Sequence, residues 1–250
     1  ALEAATGKVM DGRAPEHVRD AAKVLSCYVN ALAIRPNPTG TSWEVDRQDA
    51  DIRTWAEFSA VPVLNMESTL WHPLQGLADL MTLREELGEL KQKKLAVVWT
   101  HSPTPATPAV VHSLVHVALR AGLNVSVAHP SGFELDGEVL AEATALARAS
   151  GARFEAGLEP AAAARGAHVI YARSWASIAD YGNPTLAASR RSRTQGWKVD
   201  EKLMALGHEA RLMHAMPVRR NLEVSDEVLD GPRSLVYVQA ENRLHSQKAL

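Results

Sequence analysis

The chain has 250 residues, 46% of them hydrophobic and 22% charged, which excludes disorder, a collagen repeat and a disulfide scaffold and leaves material for one large core or two modest ones. A formal net charge of −2, from 27 basic and 29 acidic residues, excludes general attraction to nucleic acid or to an anionic membrane, so an anionic ligand needs a local cluster of donors. The single cysteine, Cys27, excludes a disulfide within the chain and a cysteine-based zinc site; it fits a reducing, cytoplasmic setting in which the thiol is a small buried apolar group.

The opening "ALEAATGKVMDG" lacks both an initiator Met and the charged-then-apolar pattern of a secretion signal, and reads as an entry point into a longer chain. No apolar run is long enough to span a bilayer. "PEHVRDAAKVLS" (15–26) predicts a helix with Pro in its first turn, followed by strands at "YVNALAI" (28–34) and "VPVLNM" (61–66). "HPLQGLADLMTLREELG" (72–88) predicts a helix with Leu74, Leu77, Met81 and Leu87 on or near one face and a glycine stop. The charged stretch within 85–98 then runs into a strand at 95–99 and marks a domain boundary. "THSPTPATPAV" (100–110), rich in proline, predicts a stiff loop. Beyond it come a helix (107–122), a strand (123–128), a helix (137–151) and a short surface helix at the alanine-rich 159–167. A strand (168–172), a solvated basic loop "SRRSRTQ" (189–195), strands at 211–215 and 234–238 and a final helix (240–250) complete the order. Near-continuously apolar strands separated by helices imply an α/β fold with parallel sheets covered on both faces.

In such sheets ligands bind outside the carboxyl ends of the strands, so polar residues that follow apolar runs are the candidates. Arg35, Glu67, His101, Arg173, His214, Arg219 and Arg220 all occupy such positions. Taken singly, each is more simply explained as a residue leaving the sheet into solvent; their joint pattern favours a site. "HPLQ" (72–75) adds His72 and Gln75 at a helix start, where free N–H groups and the helix dipole suit an anion or a polarised carbonyl oxygen. A Gly-rich phosphate loop, His-Glu-x-x-His and Gly-x-Ser-x-Gly are all missing from the sequence, and the histidines show no metal-ligand spacing, so no metal is expected.

"HPLQGLADLMTL", "YARSW…YGN", "MHAMPVRRNLEVSDEVLD" and "AENRLHSQKAL", in this order, resemble the aspartate/ornithine carbamoyltransferase superfamily. The "PVRRN" form and the opening "GKVMDGRAPEHVRDAAKVLSCYVNALAIR" are most similar to its branch acting on N-acylated ornithine. The resemblance implies two α/β domains, each with a mostly parallel sheet covered by helices: a carbamoyl phosphate domain over 1–92 and an amino-acid domain over 93–238, with helix 239–250 packing back on the first. It also implies a knotted backbone in the second domain and a cytoplasmic homotrimer with shared active sites. The implied reaction needs no cofactor. It transfers the carbamoyl group of carbamoyl phosphate to the side-chain amine of N-acetyl-L-ornithine, in arginine biosynthesis.

By the same resemblance Arg35, His72 and Gln75 are the catalytic residues, and Pro73, Leu74, Ala215, Met216 and Arg243 join them around carbamoyl phosphate. Arg35 and His72 donate to the developing oxyanion while Gln75 and backbone carbonyls near Ala215 and Met216 hold the carbamoyl nitrogen. Glu3, Glu67, His101, Ser102, Arg173, Met216, Arg219 and Glu223 fall on the amine side, Glu3 opposing a succinyl group by like charge. The chain departs from the family pattern in four places. Ala215 replaces a cysteine, Ser102 a histidine, Arg173 a lysine, and Glu223 a lysine that can be carboxylated. The resemblance implies that the family's Ser-x-Arg-Thr-Arg phosphate motif is to be expected in a segment preceding Ala1. Two alternatives stay open: a carbamoyltransferase for N-succinylornithine or another amine, and an inactive ligand-binding relative.

Overall fold

The computed structural model describes residues 2–4 and 7–250. In chain order the elements are α1 (Val18–Ser26), β1 (Leu32–Ile34), α2 (Trp43–Asp46), α3 (Ala50–Phe58), β2 (Val63–Asn65), α4 (Pro73–Leu87), β3 (Lys94–Trp99), α5 (Ala109–Arg120) and β4 (Asn124–Ala128). They continue with α6 (Gly137–Ser150), β5 (Phe154–Leu158), α7 (Pro160–Ala164), β6 (Val169–Arg173), α8 (Pro184–Ser192), α9 (Glu201–Met204), β7 (Arg211–Met213), α10 (Asp226–Leu229) and α11 (Val236–Lys248). The fold is α/β, with parallel pairing throughout both sheets: β1 beside β2, and a five-stranded sheet in the order β5-β4-β3-β6-β7.

Alternation along the central strands divides the core. Leu95, Val97 and Trp99 of β3 pack with Val110, Leu114, Val125, Val127, Val169 and Tyr171 on one face. Ala96 and Val98 face Ala163, Ala164, Ile170, Leu212, Leu203, Val228 and Val236 on the other. Strand order reverses direction at β3, between β4 and β6, so the loops after β3 and β6 diverge and leave a crevice at their carboxyl ends.

The smaller sheet is fixed to the larger body by buried polar contacts. Asp136, the N-cap of α6, accepts from the Trp43 indole at 2.7 Å and from Arg47 at 2.8 and 2.9 Å, while its own Oδ1 also caps the N–H groups of Glu138 and Val139. Tyr181 donates to Asp46 at 2.7 Å. These bonds orient β1 and β2 so that the residues after them meet the crevice.

Several sequence expectations are corrected. The run at 234–238 is not a strand: after one bridge between Ser234 and Leu212 the chain enters α11. Burial of Leu235, Val236, Gln239 and Asn242, with Tyr237 62% exposed, follows helical spacing, and tertiary packing overrides the β-rich composition. On α4 the buried face is Leu74, Gln75, Ala78, Asp79, Thr82 and Leu83, whereas Leu77 is 38% exposed, so that face is partly polar. The strands of the small sheet and β7 are shorter than their apolar runs, and the edge strand β5, mostly exposed, has too few apolar residues to be read from sequence. The helix α7 buries Ala163 and Ala164 against the large sheet rather than lying on the surface, and 189–192 is the end of α8, capped by Asn183, rather than loop. Cys27 is exposed, just past the C-terminal end of α1. Among the described residues no helix is long and apolar enough to cross a membrane.

Candidate active site

The amino-terminal end of α4 forms the floor of the crevice. His72 is its N-cap, and the His72 Nδ1 accepts the backbone N–H of Gln75 at 3.4 Å. Pro73 supplies the fixed φ of the first helical turn and is itself exposed, while Leu74 is buried in the core. The backbone N–H of His72 is in turn held by the Ser113 hydroxyl at 2.8 Å, which locks the helix start against α5.

Three chain segments converge on that start. Arg35, just after β1, forms an ion pair with Glu67, just after β2. The same Glu67 oxygen lies 3.8 Å from His72 Nε2. From α11, Arg243 donates to Gln75 Oε1 at 2.7 Å and its Nη1 stands 3.5 Å from His72 Nε2. Burial, reinforced by the positive charges of Arg243, Arg35 and Arg173, lowers the His72 pKa to about 3. The ring is therefore neutral at ordinary pH, and because Nδ1 is an acceptor the proton sits on Nε2, where it can be donated.

Behind this floor lies a polar layer that sequence reasoning missed. Gln75 Nε2 donates to Asp79 at 2.8 Å, Gln239 Nε2 donates to the same Asp79 oxygen at 2.6 Å, and the Tyr171 hydroxyl donates to the other at 3.1 Å. Gln239 also accepts the His214 backbone N–H at 2.9 Å. Burial pushes the Asp79 carboxyl up to about 6 despite those three donors, and burial next to the Asp79 charge raises Tyr171 well above its ordinary value. The available signal was spacing. Gln75 with Asp79, and Gln239 with Arg243, are both i,i+4 pairs and so share a helix face.

The opposite wall comes from the carboxyl ends of the large sheet. Arg173, ending β6, donates to the Ala215 carbonyl at 2.8 Å, which fixes the segment after β7, including the cis Met216–Pro217 bond. Met216 is 45% exposed. Glu223 is buried and accepts the Arg219 N–H at 2.9 Å. Burial tends to raise its pKa, but the adjacent His214 ring, the Arg219 N–H and the Ser102 hydroxyl outweigh that and hold it below the usual carboxylate value. Burial lowers the His214 pKa, so a neutral ring lies 3.3 Å from an ionised Glu223. Neither ring nitrogen of His214 makes a directed hydrogen bond to protein, so the pair is a contact and not an ion pair.

Other candidates fall further out. His101 is held by Thr194 at 3.3 Å and edge-on to Trp99. Arg219 extends to the Thr104 hydroxyl of the proline-rich loop at 2.6 Å. Arg220 turns outward to Asp226 and Asp230 and supports the surface instead of the crevice. Glu3 pairs with Lys8 at 2.5 Å and forms a bridge with His17. Its neighbours Leu2 and Ala4 line a cavity of about 420 Å³ that Arg35 also lines. A cavity of about 700 Å³ is lined by Lys93, His168 and Arg211 at the amino ends of β3, β6 and β7, away from this constellation. Among the described residues no cluster of three or more His, Cys, Asp or Glu side chains is arranged to hold a metal ion.

Comparison with known proteins gives this constellation a context. Residues 2–85 match the family described as Aspartate/ornithine carbamoyltransferase, carbamoyl-P binding domain, and residues 91–250 match its Asp/Orn binding domain. The N-acetylornithine carbamoyltransferase of Xylella fastidiosa (strain 9a5c) is 38% identical over 252 aligned residues, covering 100% of this chain and 75% of that protein. The ornithine carbamoyltransferase of Hyperthermus butylicus is 39% identical, over 94% of this chain and 69% of its own length. A crystal structure of acetylornithine transcarbamylase complexed with acetylcitrulline superposes with a TM-score of 0.95 at 36% identity, covering 99% of this chain and 75% of the other. The chain therefore belongs to the aspartate/ornithine carbamoyltransferase family.

Proposed function

We propose that the protein transfers the carbamoyl group of carbamoyl phosphate to the side-chain amine of N-acetyl-L-ornithine, giving N-acetyl-L-citrulline and phosphate. The observation that carries this reading is the convergence of Arg35, His72, Gln75 and Arg243 on one helix start, directly across from a backbone segment pinned by Arg173. The neutral amine attacks the carbamoyl carbon, a C–N bond forms, and the bond from carbon to the phosphate oxygen breaks. Phosphate leaves and takes the amine proton. Charge that gathers on the carbonyl oxygen meets His72 Nε2–H and the Arg35 guanidinium. Because His72 is depressed to about 3, it acts as a hydrogen-bond donor and not as a proton-transferring acid at neutral pH. Gln75 Oε1 takes the carbamoyl N–H. Arg35 is paired with Glu67 and must exchange that partner for substrate.

On the amine side Glu223, Ser102, Arg173, Arg219 and Met216 surround the acylated ornithine, with Glu67, after β2, and Glu3 as further carboxylates for it. The acetyl assignment is supported by a relative of that activity aligned along the whole chain. Transfer to unmodified ornithine is the second reading, favoured by the 39% identity to an ornithine carbamoyltransferase. Residues 1–92 would serve carbamoyl phosphate and 93–238 the amine, with the last helix bridging them, in a cytoplasmic homotrimer with shared sites. Product formation with acetyl-, succinyl- and unmodified ornithine tests the assignment. A clear preference for either of the latter two would overturn it.

A further inference from the structure

Asp79 is an unusual carboxylate to keep. It is 0% exposed, its hydrogen-bond partners are Gln75, Gln239 and Tyr171, and none of these is a cation. Burying a carboxylate in this way is costly, and filling the space needs only a neutral side chain of similar size. What an ionised carboxylate supplies that its amide does not is acceptor character on both oxygens. Any amide next to it must turn its NH₂ group inward. Gln75 is thereby forced to present Oε1 to the crevice, where Arg243 now meets it. Gln239, turned the same way, presents its own Oε1 to the backbone N–H of His214, at the start of the segment that carries Ala215 and Met216.

We propose that Asp79, acting through Gln75 and Gln239, is a positioning residue that makes the site select a phosphate donor bearing N–H hydrogens over the same donor bearing a methyl group. The inference rests on the carbamoyl phosphate reading and names what enforces its donor specificity. With asparagine at 79 the inward hydrogen bond fits either amide orientation, Arg243 alone is left to hold Gln75 Oε1 outward, and the distinction between –NH₂ and –CH₃ weakens.

Two stable probes differ in that group alone: phosphonoacetamide and acetonylphosphonate. Calorimetric titration of each into the full-length unmodified protein and into its Asp79→Asn variant reads the ratio of their affinities without any amine substrate. The unmodified protein should prefer phosphonoacetamide, and in Asp79→Asn that preference should fall by about tenfold, roughly one hydrogen bond, with acetonylphosphonate affinity little changed. A purely structural role would weaken both probes together, and an unchanged ratio in the folded variant overturns the proposal. Should Asp79→Asn not fold, Gln239→Met decides: a preference reduced at least about threefold supports the proposal, and an intact one sinks it. Failure of the unmodified protein to bind either probe would overturn the carbamoyl phosphate reading itself. Binding with the expected preference but no acetylcitrulline formation would remove only the amine assignment.

Discussion

The two walls of the crevice are built in opposite ways. On the α4 side the polar groups satisfy one another: Arg35 with Glu67, Arg243 with Gln75, and Gln75 with Asp79. On the side of the large sheet, buried polar atoms of Thr100, Arg173, Ser174 and His214 have no hydrogen-bond partner in the protein. Leaving such atoms buried and unpaired is expensive, so the second wall gains more from a polar ligand, while the first must trade existing bonds for new ones. The first wall is therefore suited to geometry, which chemistry on a small group demands, and the second to affinity for a larger substrate.

That contrast can be broken at several points. The largest effect is expected for His72→Ala, which removes the Nε2–H donor: turnover should fall by about a hundredfold to a thousandfold in steady-state assays. A near-normal rate would take His72 out of the mechanism and leave the α4 wall merely structural.

Next is the pH dependence of Asp79. Its folded value of about 6 lies above the reference 3.8, so its contribution to stability is fully present below about pH 4 and is lost as pH rises through 6. Of the groups bonded to it, Tyr171 stays neutral across that window, and Gln75 and Gln239 do not titrate. The stability difference between the unmodified protein and Asp79→Asn should therefore shift against the unmodified protein between pH 4 and 7, by up to about 3 kcal/mol. Urea unfolding at the two pH values measures it, and a constant difference would refute it.

A smaller effect tests the other wall. Glu223→Gln should raise KM for the acylated ornithine by about tenfold, through loss of one charged hydrogen-bonding group, and leave phosphonoacetamide affinity unchanged. If both change together, the walls are not separable as described. Smallest is Ala215→Cys, which restores the residue expected in the family. Since the Ala215 position contributes its backbone carbonyl to Arg173, turnover should stay within about twofold, which parallel kinetic runs can resolve.

The sequence disclosed the first wall well and the second only in outline. "HPLQ" states its own geometry, because a cap, a first-turn proline and a glutamine one turn on can be read locally. Arg35, Glu67 and Arg173 were legible as polar residues ending apolar runs, and the structure does place each at a strand end. Asp79 and Gln239 were not legible, since a buried polar face on α4 looks like an exposed one until α11 is known to cover it. The run beginning at Ser234 was misread as strand for the same reason: β-branched and aromatic composition is a weak prior against long-range packing. Conversely Cys27, assigned to the interior by residue type alone, is exposed because it follows the end of α1.

The docking of α11 on α4 has a consequence for how the protein comes to be. Gln75 and Arg243 meet across 168 positions of sequence, and Asp79 and Gln239 across 160. Contacts so distant in the chain form late, after the local helices and the central strands. A ribosome that has delivered everything up to Pro232 has made both sheets and every residue of the amine wall, yet nothing that orients Gln75 from the far side. Catalytic competence is then switched on when α11 emerges, and a nascent chain stalled before it would be folded but chemically mute.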